Sequence, residues 1–515
     1  MSRKVHATAS GQDEIRPALL HPMRSPVMPG SPPPSPTLYA SDRLLVTGFP
    51  RRGDTKRHLG GLSEALHELG LTPRVPAKMQ RRIERLSKTR GKARDILEQI
   101  WVSSVILEPE GDEPVQAPDA WVVLQKLRAT SPDVARTVSL DHIVRPVDGF
   151  WGGVPYWDGI PYWDGIPYWD GIGGAHEYTR PGRGGRLPVS VVLRDPAERG
   201  RALDRHPVVA IPDTGIGKHP WFDDSTWPTG QKRVLREVEH DGEVIGGTDV
   251  DLTSTSPDPL SGAIGRVVGH GTFIAGIIRQ ACPEATLLAV PVLDANGLAD
   301  EADVLVALQD LLARHVEGQQ TGDPSKVIDV LSLSVGYYPE SSDDVPNSPV
   351  AILLRQFGER GVLVVAGAGN DATPETFVPA ALSGSPNPGP LPLASVGALN
   401  PDGDTVALFS NAGATVTALR AGVSVVSTVP VSDAGQEPSI EAGVDPSGKR
   451  RATVDADDYR GGFGVWSGTS FAAPVLAGEL AAALVETGGL ADVSATAMIA
   501  RAHLARERVL KNEAR

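Results

Sequence analysis

From about residue 206 onward, short apolar runs alternate with longer segments of helical period. PVVAIPD, TLLAVPVL, VIDVLSLSVG and GVLVVAGAGN are rich in β-branched residues and hardly alternate apolar with polar positions. Strands buried on both faces read this way, as in parallel sheets covered by helices on each side. Between them, EADVLVALQDLLARH sets Leu305, Leu308 and Leu312 along one helical face, with Val304 and Leu311 beside them. Strands alternating with helices predict an α/β fold with a doubly wound, mostly parallel sheet over residues 206–490. Residues 491–515 read as a helical tail.

Upstream the pattern is shorter in period. RLLVTGF, VSSVILEP and TVSLDHIVRP are strand candidates, and LGGLSEALHELG and DAWVVLQKLRAT are helix candidates, the first closed by Gly70. Residues 41–147 are therefore expected to form a small α/β domain. Its basic run RRIERLSKTRGKARD is expected to be a solvated helix face or loop. Residues 1–40 contain HPMRSPVMPGSPPPSP, where proline removes backbone donors, and are expected to be a disordered tail. Residues 148–205 are expected to be a linker. They hold three copies of a six-residue unit opened by Pro155, Pro161 and Pro167, each with a Tyr-Trp pair and an Asp-Gly turn signal. The repeats read as a turn-rich duplication, or as a recognition arm that exposes its aromatic rings.

Composition narrows the functional classes. The net charge of −14 is split, with 18 Lys/Arg against 9 Asp/Glu in residues 1–100 and 31 against 54 in the rest. Opposite charges of this kind would draw the two regions together, with a strength that salt reduces. The acidic remainder argues against a nucleic-acid partner. The one cysteine, Cys282, permits no intrachain disulfide and reads as a buried small residue. The first residues carry basic side chains without the apolar core of a secretion signal, and no run of 18 apolar residues occurs. A cytoplasmic protein with no membrane span is the expectation.

Three short motifs carry candidate chemistry. Asp213 ends the run PVVAIPD ahead of Thr-Gly, where a turn can aim its carboxylate out of the sheet's carboxyl edge. His270 stands between two glycines at the start of an apolar helix, GHGTFIAGII. Ser470 opens the helix GTSFAAPVLAGELAAALVE, whose first-turn amides are unpaired and favour a developing negative charge. Pro474 falls early in that helix, where a missing donor costs little. Each motif alone has an ordinary reading: a turn, a structural histidine, a helix cap.

Together, Asp-Thr-Gly, His-Gly-Thr and Gly-Thr-Ser-Phe-Ala-Ala-Pro, in that order, resemble the subtilisin-like serine protease (subtilase) family. The resemblance covers residues 206–490. It implies a subtilisin-like fold and hydrolysis of polypeptides through an acyl-enzyme, with Asp213, His270 and Ser470 as the triad. It makes Asn370, at the end of AGAGN, and the Ser470 backbone N–H the oxyanion hole. VLSLSVG resembles the substrate-binding strand, which assigns Ser334, Val335 and Gly336 to substrate, with Ala368 and Gly369 on the facing wall. Residues 41–147 resemble the family's small N-terminal prodomain in coarse pattern, which would dock on the catalytic domain and require a processing site in the linker; the alternative is a separate partner- or substrate-recognition domain. Calcium enters by resemblance alone: no ligand cluster is named, Asp223 and Asp224 read as a solvated turn, and no cofactor is identified. The family's usual Ala-Pro-Gly is replaced by RAG, with Arg420 and Ala421, which puts that turn in doubt. The polar stretch from Ser432 to Gly462 is expected to be a surface loop.

Overall fold

The computed structural model describes residues 16–28, 32–48, 59–86, 91–111, 117–146, 186–191, 193–223, 233–255, 260, 264–343, 345–432, 443–451 and 458–511. The hexapeptide repeats, residues 1–15, Asp224 and most of the loop before Ser470 lie outside them.

The N-terminal unit is an antiparallel sheet packed on helices. Strand β1 (Pro17–Leu20) pairs with the start of β2 (Thr37–Thr47). β2 then lies between β4 (Val102–Pro109) and β5 (Val138–Pro146), and β3 (Leu71–Arg74) pairs with β4. Helices α1 (Gly60–His67), α2 (Ala77–Leu86), α3 (Lys92–Ile100) and α4 (Ala120–Thr130) complete it. Asp119 caps α4 by accepting from the Trp121 and Val122 amides. The disordered tail expected over residues 1–40 is corrected by β1. Leu20 is fully buried, and Pro17 opens its strand, a position where proline is tolerated.

The second unit is built on a parallel sheet. Its strands are β7 (Val208–Asp213), β8 (Val234–Leu235), β9 (Thr286–Pro291), β11 (Val330–Leu333), β13 (Leu363–Gly367), β14 (Ala394–Leu399) and β15 (Ala418–Ala421). They lie in the order β15–β14–β13–β11–β7–β9–β8 with every pairing parallel. Successive residues feed opposite cores. Val209 and Ile211 join Phe273, Phe471 and Leu480 on one face, the side of α5 (His270–Ala281) and α8 (Thr469–Thr487). Val208 and Ala210 join Leu305, Leu308, Leu312 and Phe357 on the other, the side of α6 (Glu301–Thr321) and α7 (Pro349–Gly358). The fold is therefore doubly wound α/β, as the unalternating strands predict. Helix α8 is apolar and long enough to cross a membrane, but most of it is buried in the core. Helix α9 (Ala495–Leu510) packs on it, with Ala502 and Ala505 in the shared core, while Met498 packs with Val327 and Val493.

The expected linker over 148–205 is also corrected at its end. Strand β6 (Leu187–Pro188) pairs with β17 (Phe463–Trp466), which pairs in turn with β16 (Val425–Thr428). Arg186 is buried and donates to the carbonyls of Val268 and Gly265. Arg205 grips both oxygens of buried Asp329 at 3.0 and 2.8 Å. Arginine carries its own donors to such partners, a long-range pairing that local composition does not reveal.

The two units share one core: Leu44, Trp101 and Trp121 are continuous with Leu305, Leu308 and Leu312. Charge pairs line the contact. Arg43 meets Asp300 at 2.7 Å, Arg82 and Arg85 meet Asp310 at 2.9 and 3.2 Å, and Lys78 meets Asp303 at 2.9 Å. Arg82, expected to be solvated, is instead buried with its guanidinium 4.2 Å from the Trp101 ring centre. The end of β5 runs between β10 (Ala299–Asp300) and β12 (Val335–Gly336), antiparallel to both. Val144 lies opposite Ala299, Arg145 opposite Gly336 and Pro146 opposite Val335.

Candidate active site

Asp213, His270 and Ser470 each sit where an element meets a turn: the end of β7, the first residue of α5 and the second of α8. The His270 Nδ1 lies 2.8 and 3.0 Å from the two carboxylate oxygens of Asp213. Asp213 Oδ1 also accepts from the Thr214 amide at 2.8 Å, which fixes the carboxylate plane. A carboxylate on Nδ1 selects the tautomer with the proton there and presents Nε2 as the basic nitrogen. The ring packs 5.3 Å from Phe471, the residue after Ser470, and 5.5 Å from Trp466.

The turn bearing His270 is tied on both sides. The Gly271 amide donates to Thr214 Oγ1 at 2.8 Å, and a Cβ on Gly271 would lie 2.2 Å from the Gly215 carbonyl oxygen. Only glycine permits that approach. On the other side, the buried Asp251 carboxylate accepts from the Gly269 amide at 2.7 Å, the Thr272 amide at 3.0 Å and Thr272 Oγ1 at 2.6 Å. Burial pushes Asp251 up to about 7 against the pull of these donors. Sequence reasoning missed Asp251. The signal it left is the Asp-x-Asp of DVDLT, ordinary in any turn.

Ser470 and Ser334 exchange hydrogen bonds. Ser470 Oγ donates to the Ser334 carbonyl at 3.2 Å, and Ser334 Oγ donates to the Ser470 carbonyl at 2.9 Å. Pro474, within α8, has no N–H for the carbonyl four residues back, and that carbonyl is Ser470's. Ser334 supplies the donor that Pro474 lacks, so the early-proline expectation is refined: the lost bond is replaced.

Asn370 stands beside the same helix start. Its Oδ1 accepts from the Thr469 amide at 2.9 Å, which orients the carboxamide with Nδ2 on the opposite branch. The Gly369 amide donates to Thr469 Oγ1 at 3.1 Å. Asn411 braces this segment. Its Oδ1 accepts from the Asp371 amide at 2.9 Å, and its Nδ2 donates to the Ala368 carbonyl at 3.1 Å. Gly369 has φ +110°, and a Cβ there would sit 2.0 Å from Asn411 Nδ2. The sequence reading gave the stretch holding Asn411, ALFSNAG, no chemistry, and nothing in its local pattern marks this bracing role.

The structure thus joins Asp213 to His270 and Ser470 to Ser334, with Asn370 bonded at the start of the Ser470 helix. Val335 and Gly336 pair with Pro146 and Arg145 of β5, Gly369 and Asn370 are tied to Thr469, and the side chains of Asp213, His270 and Ser470 have no solvent exposure. Arg420, in the doubtful segment, lies in β15 and pairs with Glu479 at 2.7 Å. Cys282 is buried, which pushes its thiol up to about 12 and removes it as a nucleophile. Among the described residues no group of three or more His, Cys, Asp or Glu is placed to hold a metal ion.

Residues 204–511 match the family model of the subtilases. The chain belongs to the subtilase family. This subtilase is 27% identical over 235 residues to the serine protease AprX of Bacillus subtilis (strain 168), an alignment covering 42% of this chain and 47% of that one. It is 28% identical over 293 residues to a thermophilic serine proteinase of Bacillus sp. (strain AK1), covering 54% and 52% respectively. The chain spans about half the length of these curated relatives. Among solved structures it is similar to fervidolysin from Fervidobacterium pennivorans, a keratinolytic enzyme related to subtilisin. That likeness has 18% identity and a TM-score of 0.46, over 87% of this chain and 55% of that one.

Proposed function

We propose that the chain is a serine endopeptidase held latent by its own N-terminal unit. The observation that carries the activity is the Asp213 carboxylate on His270 Nδ1 at 2.8 Å, with Ser470 on the adjoining helix start. In this reading Ser470 Oγ attacks the scissile carbonyl. His270 Nε2 takes its proton and later returns it to the leaving amine, while Asp213 stabilises the charged ring. The Ser470 amide and Asn370 Nδ2 hold the oxyanion. Water then hydrolyses the acyl-enzyme by the same proton relay.

Latency is supported by the pairing of β5. A polypeptide substrate adds as a strand between β10 and β12, its backbone supplying affinity and its side chains selectivity. The end of β5 takes that position, and the triad is closed to solvent. Intact mass followed over time tests both claims. The wild-type chain should split beyond β5 and then hydrolyse an unfolded protein, while Ser470→Ala stays whole. A wild-type chain that hydrolyses protein without splitting would remove the latency claim. One that does neither would remove both.

A further inference from the structure

Asp371 follows Asn370 directly, yet catalysis as derived above makes no use of it. Its Oδ2 accepts from Tyr338 Oη at 2.7 Å and lies 3.3 Å from Arg145 Nη2. The Arg145 guanidinium is 5.9 Å from the centre of the Tyr338 ring, within reach of a cation–π contact. Both charged side chains keep little exposure, 12% for Arg145 and 11% for Asp371. Asn411 donates to Tyr338 Oη at 2.9 Å and accepts from the Asp371 amide at 2.9 Å, so one side chain holds the carboxylate, its phenol and the oxyanion segment together. Arg145 is the β5 residue lying opposite Gly336.

Three residues upstream the pattern recurs. His142 sits between two carboxylates, with Nδ1 2.6 Å from Glu301 and Nε2 2.8 Å from Glu340. The strand in the cleft thus offers basic side chains to acids that belong to the cleft walls. A neutral occupant would take from Asp371 the counter-charge that Arg145 supplies, and an acidic one would add repulsion.

We propose that Asp371, with Tyr338, forms an acidic subsite that reads a basic side chain on the substrate residue lying opposite Gly336, so that this enzyme prefers polypeptides carrying arginine or lysine at that position. The proposal rests on the reading that β5 lies as a substrate would. Asp371 acts here as a specificity determinant, touching substrate without touching the reacting atoms.

The test uses the full chain, incubated until fluorophosphonate labelling of Ser470 reaches a plateau, and quenched fluorogenic peptides copying residues 140–150. Peptides with Arg145→Gln and Arg145→Glu are compared with the parent. For the wild type, kcat/KM should fall by about tenfold for the glutamine peptide and by on the order of a hundredfold for the glutamate peptide. In Asp371→Asn the ratio of arginine to glutamine peptide should collapse to within about twofold, and Asp371→Lys should reverse it in favour of glutamate. These are ratios, so a variant that folds in lower yield still reports. Labelled enzyme that cuts the three peptides equally, or an Asp371→Asn enzyme that keeps the wild-type ratio, would overturn this proposal alone. An enzyme that neither takes the label at Ser470 nor cuts any peptide would overturn the peptidase reading beneath it.

Discussion

The contact between β5 and the cleft is held by a charge that pH can remove. Burial opposes protonation of His142, and Glu301, then Glu340, overcome it, leaving its pKa raised from 6.5 to about 10. Its ring also stacks on Tyr337 at 4.3 Å, and Tyr337 Oη donates to Glu301 at 2.7 Å. A histidine whose pKa is raised on docking stabilises the docked state fully below pH 6.5, and this contribution disappears as pH rises through about 10. At about 1.4 kcal/mol per decade, roughly 3 kcal/mol still acts at pH 7.5, or on the order of a hundredfold in the docking equilibrium. Asp141 and Asp300 face the same cluster from β5 and β10. Burial raises both, and their ionisation weakens docking in the same direction as pH rises, Asp300 near 6. Arg128 pairs with Glu340 at 3.5 Å. Replacing His142 by glutamine isolates its share. Hydrogen exchange over residues 138–146 and 330–336, in a Ser470→Ala chain and corrected for intrinsic rates, should show protection falling on the order of a hundredfold between pH 7.5 and 10. The His142→Gln chain should start less protected and lose much less over the same range. Parallel pH profiles for the two chains would refute the reasoning.

Three more outcomes follow from the geometry. Removing one oxyanion donor with Asn370→Ala should lower kcat by about 100- to 1,000-fold with little change in KM, read by steady-state peptide hydrolysis. Burial holds His315 down to about 4, with Nδ1 accepting from the Ile328 amide at 3.1 Å. Its depressed pKa makes the stability present above pH 6.5 fall by about 3 kcal/mol as pH drops towards 4, so urea unfolding should steepen there in the wild type and much less in His315→Gln. Finally, Pro146 lies opposite Val335 and Arg145 opposite Gly336, so one further step along the chain predicts cleavage after Val147. N-terminal sequencing of the processed enzyme should begin at Asp148.

The large features of this fold were legible because they repeat locally. Strands buried on both faces left unalternating runs such as VVAI and LVVA, and α6 left its leucines at helical spacing. The motifs of Asp213, His270 and Ser470 stand out in the sequence because glycine and small residues crowd around them, as the 2.2 Å approach at Gly271 requires. What escaped depends on partners far away in sequence. β1 is a four-residue edge strand beside the proline-rich run that suggested disorder, and it is ordered by its pairing with β2. β10 and β12 have two residues each and exist as strands through β5. Asp251, Asp371 and Asn411 are ordinary polar residues until the chain folds and gives each a buried amide or guanidinium to hold. Arg82 read as part of a solvated run because its acid, Asp310, lies more than two hundred residues away.

The most direct measurement is covalent labelling with a fluorophosphonate, mapped by mass spectrometry on the processed chain. A nucleophilic hydroxyl paired with an oriented imidazole should carry the phosphonyl group on Ser470, and the adduct should be lost in His270→Ala and in Ser470→Ala. Processed, folded protein that takes no label at Ser470, or takes it equally without His270, would contradict the account.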